Sequence, residues 1–401
     1  MNLDPRLHAY REDLAGSYLR ERVRAARYID GEPRQIAAPS IPIRVAPKFD
    51  APLATEALSG EILTLFDVRD GWGWVQLQDD RYVGYTPMDG LSTMIEENSH
   101  RVSARLTYLY PAPDIKRPPI TKLSFSCTVL PISRPDARFF ELSRGGFVHS
   151  DHLVGIKERA KDYVRIAERF VGAPYLWGGK TTLGIDCSGL VQISVQAAGM
   201  SCPRDSDMQL ATIGESIDPA NLDGVQRGDL LFWKGHVAIA QSGDWIVHAS
   251  GHHMEVVVEP IRRAIERIAE SYGQLAAIKR PVFEQQPQLA GQAGAVAKAI
   301  AQQAGLPQAE NGVPAEAEKP AAPAAPQSNR SREDRVAAFV GNAAQPGAPK
   351  PNTAEAGQAG SEKFSRWPGP SPRDQRPHSP ASDKESAPHG ESKPNRTSPA
   401  G

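Results

Sequence analysis

Cysteine is scarce in this chain of 401 residues, which contains only Cys127, Cys187 and Cys202. An odd and sparse set does not build a disulfide framework, and it suits a reducing compartment. The charged stretch that follows Met1 holds no apolar run of signal-peptide length, and no segment approaches the ~18–20 apolar residues of a membrane span. The sequence therefore predicts a cytoplasmic protein with no membrane partner.

Neither positive nor negative charge is in excess. The chain has 46 Lys and Arg residues against 47 Asp and Glu residues, a net charge of −1, and it has no strongly basic block. This balance argues against nucleic acid as a main partner. No Cys-x-x-Cys spacing is present. We therefore expect no metal site and no cofactor.

Aromatic residues nearly vanish after residue 284, where Phe339, Phe364 and Trp367 are the remaining ones. Ala, Pro, Gln, Ser, Gly and Glu dominate this part of the chain. Such a segment cannot bury enough apolar surface to offset its chain entropy. The composition predicts a mainly disordered tail over 285–401.

The rest of the chain divides into an α+β pattern of several zones. Residues 1–35 are rich in Arg, Glu and Ala and predict a helical lead-in. Short alternating runs broken by Gly, Pro and Asp predict two small β-barrels, over 36–95 and 96–150. Residues 151–284 predict a compact α+β domain: apolar residues at helical spacing from Val154 to Val171, a helix after a Gly-rich turn, and the strands DLLFW, HVAIAQ, WIVHAS and MEVVVEP.

Cys187 has a different setting from the other two cysteines. Asp186 is a good N-cap and Gly199 a good C-terminal stop, which predicts a helix over 187–198 with Cys187 in its first turn. The unpaired N–H groups and the dipole at a helix N-terminus favour a thiolate, so we expect a lowered thiol pKa. Cys127 lies in an apolar β-run and Cys202 in a loop, and both are predicted to be inert.

Two histidines are the predicted partners of this thiol. His236 opens one strand and His248 ends the next, so a hairpin with period-2 strands places both on one face, opposite each other. One can act as the base while the other holds its tautomer. His252 and His253 are predicted to be exposed in a turn. A lone Cys or His is more often structural, but the conjunction of DCSGL, GHV and VHAS indicates a papain-like cysteine hydrolase.

The motifs PYLWGG, DCSGL, PRDSDMQ, GDLLFW, GHVAIA and VHAS follow one another between about 155 and 280. This region resembles the NlpC/P60 family of cell-wall cysteine peptidases. The two predicted barrels resemble bacterial SH3 (SH3b) domains. The combination resembles the γ-D-glutamyl-L-diamino-acid endopeptidases, also called dipeptidyl-peptidase VI, which cut murein peptides after L-Ala-γ-D-Glu.

The resemblance implies a role for each matching residue. Cys187 would be the nucleophile, His236 the general base and His248 the residue that orients it. The implied substrate contacts are Tyr175 in the cleft wall and oxyanion region, Asp186 and Ser188 at the D-Glu unit, Asp205 with the following Ser206 at the free amine of the peptide, Tyr82 closing the same pocket, and Glu61 as a further contact to that amine.

These features predict an enzyme that hydrolyses murein peptides with a free N-terminal L-Ala during cell-wall recycling. Three alternatives remain: an exported hydrolase of intact cell wall, a wall-binding SH3b protein with a vestigial peptidase domain, and a thiol acyltransferase or amidase on the same core. The intact Cys187, His236 and His248 set argues against the second alternative. The PRDSDMQ motif argues against the third.

Overall fold

The computed structural model describes residues 3–134 and 137–283, and the tail predicted over 285–401 lies outside them. Strands dominate up to residue 155 and α-helices join a sheet after it, in agreement with the predicted α+β class. None of the helices within these ranges is long and apolar enough to cross a bilayer.

Residues 3–31 form an extended arm on the first barrel, so the predicted helical lead-in over 1–35 is wrong. The arm contains a turn of 3-10 helix at Ser17–Leu19 and two short parallel strands, β1 (Ala15–Gly16) and β2 (Tyr28–Ile29). Ala9 and Leu14 of the arm are buried with Phe66 and Trp74 of the barrel. Burial against the barrel outweighs the helix propensity of the Arg, Glu and Ala residues.

The first barrel is one antiparallel sheet of seven strands, which confirms the β-structure predicted over 36–95. They are β3 (Glu32–Ile36), β4 (Ser40–Arg44), β5 (Leu53–Leu58), β6 (Ile62–Arg69), β7 (Trp72–Leu77), β8 (Val83–Pro87) and β9 (Leu91–Ser92). Their order across the sheet is β5-β4-β8-β7-β6-β3-β9. Ile43, Leu63 and Val75 are fully buried in its core, where Met208 of the last domain also packs.

A second β-unit follows the first barrel. Its strands are β10 (His100–Val102), β11 (Leu106–Leu109), β12 (Thr121–Ser124), β13 (Thr128–Val129), β14 (Phe139–Glu141), β15 (Phe147–His149) and β16 (Leu153–Gly155). They pair as a three-stranded sheet, β13-β10-β16, and two hairpins, β11-β12 and β14-β15. The β character predicted for this region is confirmed, and its assignment as a second SH3b domain stays a prediction.

The last domain has a six-stranded antiparallel sheet with helices packed against it. Its helices are α1 (Tyr163–Glu168), α2 (Cys187–Ala197), α3 (Ser206–Thr212) and α4 (Ile261–Tyr272). Its strands are β17 (Lys180–Thr181), β18 (Gly184–Ile185), β19 (Glu215–Ile217), β20 (Leu230–Trp233), β21 (His236–Ala240), β22 (Trp245–Ser250), β23 (Glu255–Pro260) and β24 (Ala277–Arg280). The sheet order is β19-β24-β20-β21-β22-β23, so the four strands predicted from the sequence are adjacent, with β23 at one edge of the sheet.

The start of this domain differs from the prediction. Helical spacing suggested a helix from Val154 to Val171, but Val154 pairs with Arg101 in the second β-unit. The helix itself, α1, begins only after Asp162, whose side chain caps it by accepting from the Val164 and Arg165 N–H groups. The boundary between the two units therefore lies after residue 155 and not at 150.

The first barrel and the last domain are joined by buried polar contacts. Only 4% of the side chain of Lys180 in β17 is exposed, and its Nζ lies 2.7 Å from Glu61 Oε1 of the barrel. Arg204 Nε donates to Thr55 Oγ1 at 2.8 Å. Gly178 packs against the backbone of Leu53 so closely that an added Cβ would lie 2.6 Å from its carbonyl oxygen, and its φ of +74° also favours glycine. These contacts hold the barrel beside the N-terminus of α2.

Candidate active site

Cys187 is the first residue of α2 and is 7% exposed. Asp186 caps this helix by accepting from the Gly189 N–H at 2.7 Å, and Gly199, with a φ of +92°, follows its end. The helix predicted over 187–198 is therefore confirmed to within one residue. Cys187 lies where the free N–H groups of a helix N-terminus are available.

The thiol is not pre-ionised in this conformation, which differs from the predicted lowering of its pKa. Burial raises the pKa of the Cys187 thiol to about 12, and the Asp186 carboxylate acts in the same direction. The backbone N–H groups of Val237 and Ser188 act in the opposite direction by hydrogen bonding to the sulfur. The proton therefore stays on sulfur until a base removes it.

His236 and His248 lie on the same face of the sheet, as predicted. They are not directly opposite each other: Ile239 pairs with Val247 and Ala240 with Ile246, so the two histidines are diagonal neighbours. His236 Nε2 and His248 Nδ1 are 2.7 Å apart. Burial lowers the pKa of both imidazoles, and that of His236 falls well below its usual value. A neutral imidazole is the form that can accept the thiol proton.

Glu259 and Arg267 extend this pair, and sequence reasoning did not find them. His248 Nε2 lies 2.7 Å from Glu259 Oε1, and Arg267 of α4 also hydrogen-bonds to that oxygen. Burial opposes ionisation of Glu259, but the bonds from His248 and Arg267 prevail and lower its pKa to about 2. His248 pairs with Val257 across β22 and β23, so Glu259 is its diagonal neighbour. The alternation of side chains along β22 and β23 therefore indicates that Glu259 lies near His248.

The carboxylate at the end of this row fixes the tautomers of both histidines. Glu259 can only accept, so His248 Nε2 donates to it. His248 Nδ1 is then an acceptor, and His236 Nε2 donates to it. Nδ1 of His236 is left with the free lone pair and is the atom that can take a proton. With this order of donors and acceptors His236 can act as a base and His248 can orient it.

A cavity of about 270 Å³ opens at Cys187 between the barrel and the last domain. Its lining brings together residues from the arm, the barrel, the Gly-rich turn and α2: Arg6, Val45, Pro52, Leu53, Ala54, Tyr82, Tyr175, Trp177, Asp186, Cys187, Ser188, Asp205, Asp207 and Gly235. Five of the seven predicted substrate contacts are among them. Glu61 and Ser206 are outside this lining set.

Asp186 and Ser188 are held by Arg204, a buried residue to which the sequence analysis gave no role in the site. Arg204 Nη1 and Nη2 donate to the two Asp186 oxygens at 2.9 and 2.8 Å, and Nη1 lies 2.9 Å from Ser188 Oγ. Asp186 also accepts from the Gly178 N–H at 2.8 Å. The Asp186 carboxylate is therefore bound on both oxygens by the protein itself, and its evident role is to hold the cavity wall and the start of α2.

Tyr82 and Asp205 meet at the end of the cavity. Tyr82 Oη donates to Asp205 Oδ2 at 2.9 Å, and Arg6 Nη1 lies 2.8 Å from the same oxygen. Oδ1 of Asp205 has no hydrogen-bond partner among the residues of 3–134 and 137–283. Burial raises the pKa of Asp205, while Arg204, Tyr82 and Arg6 favour its ionised form. One carboxylate oxygen is thus fixed and the other is left for a ligand.

Glu61 is not placed at this end of the cavity, which corrects its predicted contact with the amine. Its Oε1 is paired with Lys180, and its Oε2 accepts from the Leu58 N–H at 3.2 Å. Burial raises the pKa of Glu61 to about 7. A buried carboxylate needs a counter-charge, and Lys180 supplies it inside the interface. Ser206 begins α3 and is likewise not placed in the cavity wall.

Cys127, Cys202, His252 and His253 are not among the residues that line the cavity at Cys187. Cys127 is fully buried in the core of the second β-unit, and Cys202 is buried beside α2. Burial raises the pKa of both thiols, as it does for Cys187, so the distinguishing observation is that only Cys187 lines the cavity. His252 and His253 occupy the exposed turn between β22 and β23, where His253 Nδ1 lies 3.0 Å from Ser250 Oγ.

Two family models match the chain. The model described as the NlpC/P60 family matches residues 172–274, and the model described as the bacterial dipeptidyl-peptidase Sh3 domain matches residues 43–91. The first match contains α2, β21 and β22, and the second lies within the first barrel. The SH3b prediction for the first barrel is confirmed.

Curated relatives and a solved structure agree with these matches. Dipeptidyl-peptidase 6 of Lysinibacillus sphaericus is 27% identical over 54% of this chain and 86% of its own length. Gamma-D-glutamyl-L-lysine dipeptidyl-peptidase of Bacillus subtilis (strain 168) is 34% identical over 34% of this chain, a match that spans half of that protein. An NlpC/P60 family protein from Bacillus cereus ATCC 10987, 20% identical, matches 63% of this chain and 100% of its own with a TM-score of 0.51, which shows a shared fold.

A buried thiol at a helix N-terminus, a neutral imidazole whose tautomer is fixed by a second histidine, and a cleft against an SH3 barrel form a consistent hydrolytic site. The matched NlpC/P60 region contains Cys187, His236 and His248. The chain therefore carries an NlpC/P60 cysteine peptidase domain and a bacterial dipeptidyl-peptidase SH3 domain.

Proposed function

We propose that this peptidase hydrolyses the γ-D-glutamyl–diamino acid bond of murein peptides that carry a free N-terminal L-Ala, and that it acts in the cytoplasm in recycling of these peptides. Cys187 attacks the γ-carbonyl carbon while Nδ1 of His236 takes the thiol proton. The same imidazole returns that proton to the leaving amine of the diamino acid. Water then hydrolyses the acyl-enzyme and releases L-Ala-D-Glu.

The observation that carries this proposal is the closed acidic end of the cavity at Asp205. A free ammonium could donate to the unoccupied Oδ1, while Tyr82 holds Oδ2. In intact cell wall the same nitrogen is an amide joined to muramic acid, so it has no charge and carries a bulky substituent. The names of the two relatives, dipeptidyl-peptidase 6 and gamma-D-glutamyl-L-lysine dipeptidyl-peptidase, fit a substrate of this kind.

The expected discrimination follows from leaving a buried carboxylate without its partner. Such a loss costs about 1–3 kcal/mol, which corresponds to roughly ten- to hundred-fold in kcat/KM. Steric conflict between an N-acyl group and the cavity wall adds to this factor. Asp205→Asn should weaken turnover of the free-amine peptide more than that of an acylated one, and so narrow the gap between them.

The test compares three substrates with the purified full chain: L-Ala-γ-D-Glu-diaminopimelate, its N-acetylated form, and whole sacculi. Products are identified by mass spectrometry, and Cys187→Ala serves as the inactive control. Rapid cleavage of the free peptide between D-Glu and the diamino acid, with a resistant acetylated peptide, would support the proposal. Equal rates on the two peptides, or efficient digestion of sacculi, would reject it in favour of an exported hydrolase of intact wall.

A further inference from the structure

The N-terminal arm reaches the substrate cavity through Arg6. Its guanidinium lies 2.8 Å from Asp205 and 2.7 Å from Asp207, which are both in the last domain, 199 and 201 residues away in the chain. It also lies 2.8 Å from Asp4 within the arm. Arg6, Asp205 and Asp207 all line the cavity that opens at Cys187. The arm therefore forms part of the wall at the end of the cavity.

This part of the arm is fixed to the barrel at Arg6 and at the residues that follow it. The Val83 N–H donates to the Arg6 carbonyl at 2.8 Å, and Gln76 Nε2 donates to the carbonyl of Leu7 at 2.8 Å. Ala9 is fully buried. Backbone bonds of this kind leave the Arg6 side chain little freedom to withdraw, so its position belongs to the built cavity.

The charges around Arg6 decide what kind of ligand this end can accept. Nε donates to Asp4, Nη1 to Asp205 and Asp207, and Nη2 to Asp4 and Asp207. Because these carboxylates occupy the guanidinium, Arg6 offers little to an anionic ligand. Three carboxylates and one guanidinium leave a formal charge of −2, so the cluster favours a cation.

We propose, on the basis of the proposed function, that Arg6 is the specificity-determining residue that closes the amine end of the cavity. It holds Oδ2 of Asp205 together with Tyr82, which leaves Oδ1 for the substrate ammonium. Its side chain and the arm behind it fill the space that an N-acyl substituent would need. The preference for a free N-terminus thus depends on the arm as well as on the SH3 barrel.

The experiment measures kcat and KM for the free and the N-acetylated tripeptide with wild type, Arg6→Ser and Arg6→Gln. Arg6→Ser should narrow the ratio of the two kcat/KM values at least ten-fold, chiefly through a lower KM for the acetylated peptide. Arg6→Gln should narrow it by a smaller factor, since its side chain is shorter than arginine but still fills part of the space. Arg6→Gln also serves as the test if Arg6→Ser does not fold.

Arg11→Ser is the matched control. Arg11 belongs to the same arm and bridges two carboxylates, Asp13 at 2.9 Å and Asp67 at 2.6 Å, but it does not line the cavity. Arg11→Ser should keep the wild-type ratio of kcat/KM for the free and the N-acetylated tripeptide. If wild type prefers the free peptide and both Arg6 variants keep that ratio, the inference is overturned while the proposed function stands. If wild type itself has no preference, the proposed function fails, and the inference fails with it.

Discussion

Glu259→Gln tests whether the row of side chains behind His236 sets the state of the catalytic base. The substitution keeps the size of the side chain and removes its charge. In the wild type, Glu259 accepts from His248 Nε2 at 2.7 Å and so fixes the proton positions on both imidazoles. A glutamine can still accept through its amide oxygen, but that oxygen is a weaker acceptor, and a flipped amide would donate and reverse the row.

The expected loss can be estimated from the kind of hydrogen bond removed. Bonds to charged groups contribute about 1.5–3 kcal/mol and neutral ones about 0.5–1.5 kcal/mol, a difference of roughly 1–1.5 kcal/mol. Positive charge develops on the imidazole as it takes the thiol proton, so the loss falls on the transition state. At 1.36 kcal/mol per factor of ten, kcat should fall roughly 5- to 13-fold with little change in KM.

The pH profile gives an independent readout of the same change. Glu259 raises the pKa of both His248 and His236, although burial lowers each of them more. Removing the carboxylate therefore lowers the pKa of the base. Because the base must be neutral to act, the acidic limb of kcat/KM should move to lower pH in Glu259→Gln.

Both kcat and the acidic limb of kcat/KM are measured with the free tripeptide between about pH 3 and pH 9, and the control is Glu255→Gln. Glu255 belongs to the same strand and the same face as Glu259 but is exposed and pairs with Ser250 at the strand end. The control makes the same change in net charge and should keep wild-type kcat and the wild-type acidic limb. Wild-type values in Glu259→Gln would refute the role assigned to the row.

Three further outcomes are expected. Cys187→Ala should remove measurable hydrolysis while Cys127→Ala keeps most of it, because only the former lines the cavity; turnover in Cys187→Ala would contradict the mechanism. His248→Gln should retain a higher kcat than His248→Ala, since an amide can accept and donate as the imidazole does here; equal kcat values would show that His248 does not act by orientation. Lys180→Met should lower the free energy of unfolding by about 3–5 kcal/mol at pH 9, because it leaves Glu61 buried without its counter-charge. Burial raises the pKa of Glu61 to about 7 although Lys180 lowers it, so in the variant this pKa lies higher still. The loss of stability therefore grows as pH rises through that range, and urea titrations should show a smaller loss at pH 6.

The catalytic core was predictable because its signals are local. An N-cap at Asp186 and a stop at Gly199 define α2, and period-2 strands put His236 and His248 on one face. The exact register was not predictable, since the turn over residues 241–244 shifts the pairing by two residues relative to direct opposition. The same diagonal relation brings Glu259 to His248 and could have been read from β23 once the register was known.

The amine end of the cavity depends on contacts that no local pattern contains. Asp205 follows Arg204 in the chain, and an adjacent pair suggests a local ion pair. Arg204 is instead committed to Asp186, with both terminal nitrogens on that carboxylate. The charge of Arg204 still favours the ionised form of Asp205, but the direct ion pair of this carboxylate comes from elsewhere. Arg6 forms this ion pair at one oxygen from the far end of the chain, and the proposed substrate ammonium would bind the other. The arm and the position of Arg6 were not predictable from the sequence for one reason: long-range burial and charge pairing outweigh the local helix propensity of residues 1–35.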